Sequence, residues 1–367
     1  MKRIAIDARW LRGGIGTYTE HLLEGFSESS NGFAFEAITR LEHKTIVEQW
    51  CDRLRIVDAP IYTLTEQIML PHVTKEVDLL HVPHYNVPLL YRGKLLVSIL
   101  DVIHLTDPSY RANLAVQLYA KPMLYLAAKK AAHIVTISEY SKSQIIEHLH
   151  VPPEKITTIR CGVNGNFRCL DREEAADSVF RALGIRPPYV LYVGNLKPHK
   201  NVSMLLRAFA LLRERIAQPL QLILLGEDKR WAKSLFEESA RLGNGDAVRF
   251  VPHVSRELLS RLYAAAVVLV LPSRVEGFGL PVLEAMASGT PVVCSRAASL
   301  PEVAGDAAIY FDPSDDGDLA DAIQRVLESP DLQNELRRRG LLRAKQLTWK
   351  KSVEKHLQVY DEILKST

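Results

Sequence analysis

The sequence lacks paired cysteines. Its four, Cys51, Cys161, Cys169 and Cys294, stand far apart and form no C-x-x-C pair. Neither a zinc site nor a disulfide framework is indicated, and scattered reduced thiols suit a cytosolic chain. No apolar run is long enough to span a bilayer, which leaves only peripheral contact with a membrane. The opening residues, MKRIAIDARW, enter a strand at once without the apolar stretch of a secretory leader, so a cytoplasmic location is expected, with peripheral contact at the inner membrane face kept open. An excess of one charge is also missing. Lys and Arg number 46 against 43 Asp and Glu, a net charge of +3, too small to argue for a nucleic-acid partner. No G-x-G-x-x-G occurs and no D-x-D directly follows a predicted strand. A dinucleotide site is therefore weakly supported, and neither a bound metal nor a cofactor is expected.

What the sequence does contain is alternation. At 367 residues the chain is long for one core and suggests two domains. Short apolar runs read as strands over Arg3–Asp7, Ala34–Arg40, Leu54–Val57, Leu79–Val82, Leu95–Leu100, Ile134–Ile137 and Ile156–Ile159. A second series covers Tyr189–Val193, Leu222–Leu225, Val248–Val251, Val267–Leu271, Pro291–Cys294 and Ile309–Asp312. Helical patterns fall between them, including a long one over Leu114–Ala132 and a final one over Trp349–Leu364. Such alternation implies parallel sheets with helices on both faces. A charged segment ending in Gly184, Pro187 and Pro188 places the interdomain linker at 171–188. The expected domains are then 1–170, a linker, and 189–346.

The segment 267–294 organises the second half. A buried-strand pattern meets Pro272, Gly277 and Gly279, then a helix from Leu280 with Pro281 in its first turn, then another strand. Free backbone N–H groups around Phe278 and Gly279 at a helix N-terminus make an anion site. Glu276 and Glu284 flank it; acids would accept hydrogen bonds from sugar hydroxyls while the amides take phosphate. Taken singly, Glu276 reads equally well as a surface acid and Glu284 as an acid favoured by the helix dipole. Lysines in Gly194-Asn195-Leu196-Lys197-Pro198-His199-Lys200 follow another strand and suit a diphosphate by adding point charge to backbone donors. The first strand leads into Gly13-Gly14-Ile15-Gly16-Thr17-Tyr18, again a glycine loop before a helix, with a tight structural turn as the alternative. His81-Val-Pro-His84 spaces its histidines poorly for a metal. Ser138 reads as an N-cap. The basic residues Lys121, Lys129 and Lys130 read as a solvated face or as a contact for anionic lipid.

The run Glu276-Gly-Phe-Gly-Leu-Pro-Val-Leu-Glu284-Ala closely resembles the E-x7-E signature of retaining glycosyltransferases of the GT-B fold, family GT4. The resemblance extends over almost the whole chain. It implies two doubly wound, Rossmann-like α/β domains with a cleft between them, and a final helix, 347–367, that packs back on the first. It implies transfer of a hexose from a nucleotide sugar to a saccharide or lipid-linked acceptor with retention of configuration.

On the donor side the resemblance implies roles for Gly14 and Gly16 in the first loop, for Ser138, and for Gly194, Asn195, Lys197 and Lys200. Val251 would lie at the turn that packs the base, Phe278, Gly279 and Leu280 at the sugar and phosphate, Glu276 on the sugar and Glu284 on the ribose. Tyr18, His84 and Tyr85 would meet the acceptor. Two positions depart from the family pattern. Leu100 stands where a histidine usually precedes Asp101, so either Asp101 and His104 take over the polar contacts or the sugar is handled differently. Asn195 stands where an arginine is frequent, and Lys197 would restore its charge. Glu276, Asp101, His104 and Lys200 are the catalytic candidates. The glycine start and the Ser299-Leu-Pro-Glu-Val-Ala-Gly305 run look most like bacterial mannosyltransferases of surface polysaccharide synthesis, with GDP-mannose as donor. UDP-glucose and UDP-N-acetylglucosamine remain alternatives, as do a UDP-N-acetylglucosamine 2-epimerase and a non-catalytic nucleotide-sugar binder.

Overall fold

The computed structural model describes residues 1–29, 32–51, 53–107, 110, 114 and 116–366. The chain forms two compact units. One comprises Met1–Gly162 and Trp349–Thr367, the other Val163–Thr348.

The first unit is built on seven parallel strands: β1 (Lys2–Asp7), β2 (Phe33–Thr39), β3 (Leu54–Ile56), β4 (Leu79–Val82), β5 (Lys94–Ser98), β6 (His133–Thr136) and β7 (Ile156–Thr158). They run in the order β3-β2-β1-β4-β5-β6-β7. β1 pairs with β2 on one side and with β4 on the other, so the strand order reverses between β1 and β4. The strand interiors Ile4, Ala5, Ile6, Leu79, Leu80, Leu96 and Val97 are buried, as expected for a sheet covered on both faces.

The second unit has six parallel strands: β8 (Tyr189–Val193), β9 (Gln221–Leu225), β10 (Val248–Val251), β11 (Val268–Leu271), β12 (Val292–Ser295) and β13 (Ile309–Phe311). Their order is β10-β9-β8-β11-β12-β13, with the reversal between β8 and β11.

Residues 171–188, expected as a linker, instead contain the helix Arg172–Leu183 inside the second unit. Asp171 caps it by accepting from the N–H groups of Glu173 and Glu174, Ala175 and Val179 are buried, and Gly184 ends it at φ +68°. The charges that suggest a linker are the solvated face of an amphipathic helix. The boundaries fall at Gly162 and Thr348 rather than at 170 and 346. The long helix expected over Leu114–Ala132 includes residue 115, outside the described residues; beyond it a π-helical turn, Val116–Ala120, precedes the α-helix Lys121–Lys130.

The last helix, Trp349–Lys365, packs on the first unit. Polar groups bind it there in a buried relay. The ring of His81 meets Tyr360 Oη at 2.7 Å and Ser98 Oγ at 2.8 Å. Tyr18 Oη meets Ser98 Oγ at 3.0 Å and His356 Nε2 at 2.7 Å, and His356 Nδ1 donates to Ser352 O at 2.7 Å. Burial lowers the pKa of His356 to about 4, against the opposing bond to Ser352. Burial and then His356 hold His81 well below the ordinary range.

Both imidazoles are thus neutral when folded and take up protons on unfolding. Stability from this source is full above the unfolded value near 6.5 and is lost as pH falls toward 4, by about 3 kcal/mol for His356. Chemical denaturation at pH 7 and pH 4.5 should show this loss, and His356→Gln should flatten the pH dependence.

Candidate active site

In open parallel sheets the C-terminal strand ends are uncovered where strand order reverses, and ligands bind there. Each unit has one such point, and the predicted residues divide between them.

In the second unit the loops after β8 and β11 lie side by side. Gly194 (φ +155°) donates its N–H to Leu225 O at 3.0 Å. A Cβ on Gly226 would come within 1.7 Å of Gly194 O, so only glycine permits this approach. Asn195 folds the loop on itself: its Oδ1 accepts from Lys197 N at 3.3 Å, and its carbonyl accepts from Tyr192 Oη at 2.6 Å. The short turn Pro198–Lys200 follows. Arg274 N donates to His199 O at 2.8 Å, which fastens this loop to the one after β11.

That bond brings Lys200 against Glu276, Nζ to Oε1 at 2.6 Å. Ser273 Oγ donates to the same carboxylate oxygen at 2.8 Å. Ser299 Oγ donates to the carbonyls of Glu276 (2.9 Å) and Phe278 (3.0 Å), pinning the turn while the Phe278 ring sits in the core. The helix Leu280–Ala287 begins at Gly279, φ +97°, without a side-chain cap. The N–H groups of Phe278, Gly279 and Leu280 meet no acceptor among the described residues.

Glu284, one turn in, accepts from Tyr263 Oη at 2.8 Å. Burial raises its pKa to about 7, against the Tyr263 bond and Arg256. Val251 is buried at the end of β10, and its carbonyl accepts from Gly226 N at 2.9 Å. The structure therefore gathers Lys200, Glu276, Phe278, Gly279, Leu280 and Glu284 about one helix start. A mostly buried ion pair gains little net stability after desolvation, so the Lys200–Glu276 pair is better accounted for by chemistry than by folding.

The first unit departs further from expectation. Its opening helix, Gly13–Glu28, already contains Gly14 and Gly16. A Cβ on Gly16 would lie 2.3 Å from the Leu11 backbone, so Gly16 serves close packing, while Gly14 is exposed. Tyr18 is 1% exposed and belongs to the relay beneath the terminal helix, which removes it from any surface an acceptor reaches. His81 spends both ring nitrogens in that relay. Ser138 is a buried N-cap, its Oγ accepting from Ser141 N at 3.0 Å. Asp101 Oδ1 accepts from Ile103 N at 3.1 Å, shaping the turn that carries His104.

Sequence reading missed what lies at the β1–β4 reversal. Arg9, 2% exposed, grips Asp7 with Nε and Nη2, each at 2.8 Å, and Glu66 with Nη1 at 3.0 Å. Glu66 Oε1 accepts from Tyr62 N (2.8 Å) and Asn86 Nδ2 (2.6 Å), and Tyr119 Oη donates to Asn86 Oδ1. Burial alone would lower the guanidinium pKa; Asp7 and Glu66 outweigh it and raise it. Over this network lie partly exposed rings. Trp10 stacks on His84 at 6.1 Å, Tyr62 meets Trp10, His84 and Tyr119 edge-on, and His84 adjoins Tyr85 at 4.2 Å. Tyr85 and Tyr110 then flank His104. Burial lowers the His84 pKa to about 4, despite Asp7. The signal available in the sequence was an arginine two residues past a strand-ending aspartate; its partner Glu66 lies too far along the chain to be paired by spacing.

Two parallel α/β units, each with a reversal point exposing strand ends, are the architecture of the GT-B glycosyltransferases. HepE from Anabaena, solved with UDP and glucose, superposes with TM-score 0.82 at 18% identity over 99% of this chain and 100% of that one. The models for Glycosyltransferase Family 4 and for glycosyl transferases group 1 match residues 12–167 and 177–343, and the chain belongs to this family. O-antigen chain mannosyltransferase B of Escherichia coli is 33% identical over 71% of this chain and 68% of its own length. O-antigen chain mannosyltransferase RfbU of Salmonella typhimurium is 30% identical over 68% of this chain and 64% of its own length.

Gly279→Ala places a side chain at positive φ and 2.6 Å from Leu300 Cδ2. Urea denaturation should show a loss of roughly 1–2 kcal/mol.

Proposed function

We propose that the chain transfers a hexosyl group from a nucleotide sugar to a saccharide or lipid-linked acceptor, with retention of configuration and without a metal ion or cofactor. The observation that carries this reading is the 2.6 Å contact between Lys200 and Glu276 beside an uncapped helix start. The family supports sugar transfer. The names of the two O-antigen relatives favour mannose as the sugar, and hence GDP-mannose as the donor.

In this reading the pair is a stand-in arrangement. When the donor enters, Lys200 turns to the diphosphate and joins the free N–H groups, and Glu276 is released to accept from sugar hydroxyls. Lys197 adds charge, Glu284 takes ribose hydroxyls, and Val251 lies by the base. The acceptor hydroxyl attacks the anomeric carbon on the face that the diphosphate leaves. The carbon–oxygen bond to phosphate breaks, the new glycosidic bond forms, and the acceptor proton passes to a phosphate oxygen. Rate enhancement comes from positioning and from stabilising the departing charge. Gly14 stays on the donor side, Asp101, His104, His84 and Tyr85 are assigned to the acceptor side, and Gly16 and Ser138 act through packing and capping.

Lys200→Met and Glu276→Gln should each lower kcat by 10²-fold or more, while Lys200→Met also weakens nucleoside diphosphate binding. Proton NMR of the product from an α-linked donor should show the α-anomer, and transfer should persist in EDTA. An inverted product or a rate restored only by Mn²⁺ would overturn the mechanism.

We also propose peripheral contact with the inner membrane face. No helix among the described residues is long and apolar enough to cross a membrane. Between Asp107 and Glu139 the sequence contains no acidic residue. The helix Lys121–Lys130 buries Met123, Leu124, Ala127 and Ala128 and leaves Tyr125, Leu126, Lys121 and Lys129 exposed, with Leu114 and Leu118 also exposed. Apolar side chains interleaved with lysines suit an anionic bilayer. The protein should co-float with vesicles containing phosphatidylglycerol but not with pure phosphatidylcholine, and Leu118→Glu with Lys129→Glu should abolish flotation.

A further inference from the structure

We infer that the β1–β4 reversal point is a stacking subsite for a neutral pyranose ring of the acceptor, with Trp10 and Tyr62 as its platform and Arg9 as the positioning residue that fixes them. The inference rests on the glycosyltransferase reading above and specifies the chemistry that the acceptor presents.

Topology puts the loops after β1 and β4 next to each other where strand ends are open. The network beneath them is closed. Arg9 ties the loop after β1 to the helix Leu64–Val73, and Glu66 ties that helix to Asn86 after β4. A small cavity opens among Asp7, Arg9, Trp10, Val82, His84 and Asn86. Asp7 and Glu66 bring two negative charges against one from Arg9, and His84 is neutral at physiological pH. The floor is thus net negative and its one guanidinium is engaged with both carboxylates. Such a floor repels phosphate and pyrophosphate.

The roof has the opposite character. Tyr62 is 41% exposed and holds φ +70°, a conformation rarely adopted by aromatic residues, with its N–H bonded to Glu66. The buried network therefore maintains a strained turn that presents a ring to solvent, as expected of functional positions. Trp10 lies edge-on to it and is itself partly exposed. Aromatic faces carry negative charge density and attract the polarised axial C–H groups on one face of a pyranose, while the hydroxyls point outward to water.

Saturation-transfer NMR on the full chain with methyl α-D-mannopyranoside, in the presence of saturating nucleoside diphosphate, tests the assignment. Transfer to the H3 and H5 protons is expected in the wild type, reduced at least fivefold in Trp10→Ala and partly restored in Trp10→Phe. Arg9→Lys, which keeps charge but loses the fork, should reduce it while circular dichroism is unchanged. Inorganic phosphate and glycerol phosphate should not compete. No transfer in the wild type, equal transfer in Trp10→Ala, or displacement by phosphate would each overturn the subsite. The nucleoside diphosphate melting shift, read on the same samples, reports on the second unit. Its loss would defeat the donor reading, whereas its survival without pyranose signal would defeat only the subsite.

Discussion

A parallel sheet whose strand order reverses leaves two neighbouring loops diverging at their C-terminal ends, and this constraint sets where chemistry can reside in the protein. It operates twice. At the β8–β11 reversal a main-chain bond from Arg274 to His199 draws the loops together, and the consequence is an ion pair between side chains 76 residues apart in sequence. At the β1–β4 reversal the convergence is through side chains, with Arg9 reaching Glu66. Similar backbones thus present different chemistry: one sets a lysine–glutamate pair beside an uncapped helix start, the other holds its cation between two carboxylates beside aromatic rings.

This division fits an enzyme that must hold a dianionic leaving group in one place and an uncharged nucleophile in another. The positions that depart from the family pattern are consistent with transfer. Asn195 spends its side chain on Lys197 N, a local loop role that an arginine would not fill in the same way. Leu100 is followed by Asp101, which shapes the turn holding His104 against Tyr85 and Tyr110.

Much of the fold was legible because buried parallel strands are near-continuous apolar runs, and Tyr189–Val193 or Val268–Leu271 admit few other readings. The cluster around Gly279 was legible because its residues are close in sequence and the glycine has a backbone reason to be there. The helix Arg172–Leu183 was obscured because its charged face dominates its composition while only Ala175 and Val179 reveal the buried one. Tyr18 was misplaced for a related reason. In sequence it follows a glycine-bearing loop, but a helix starting at Gly13 turns it inward, where its hydroxyl meets a residue 338 positions away. Local pattern reports local structure; partners supplied from a distant segment leave no mark on it.

That distant segment has a consequence for how the polypeptide is made. Val353 lies against Gly25, where a Cβ would come within 2.4 Å, and the hydroxyl of Tyr18 and the ring of His81, which both meet Ser98, each find a second partner in the last helix, His356 and Tyr360. While the ribosome is translating the second half, the earlier half waits with an unsealed apolar groove and polar groups that lack one of their partners. The order of synthesis therefore favours completion of the second half first, and the nascent N-terminal region is the part most exposed to aggregation or chaperone capture until its last helix arrives.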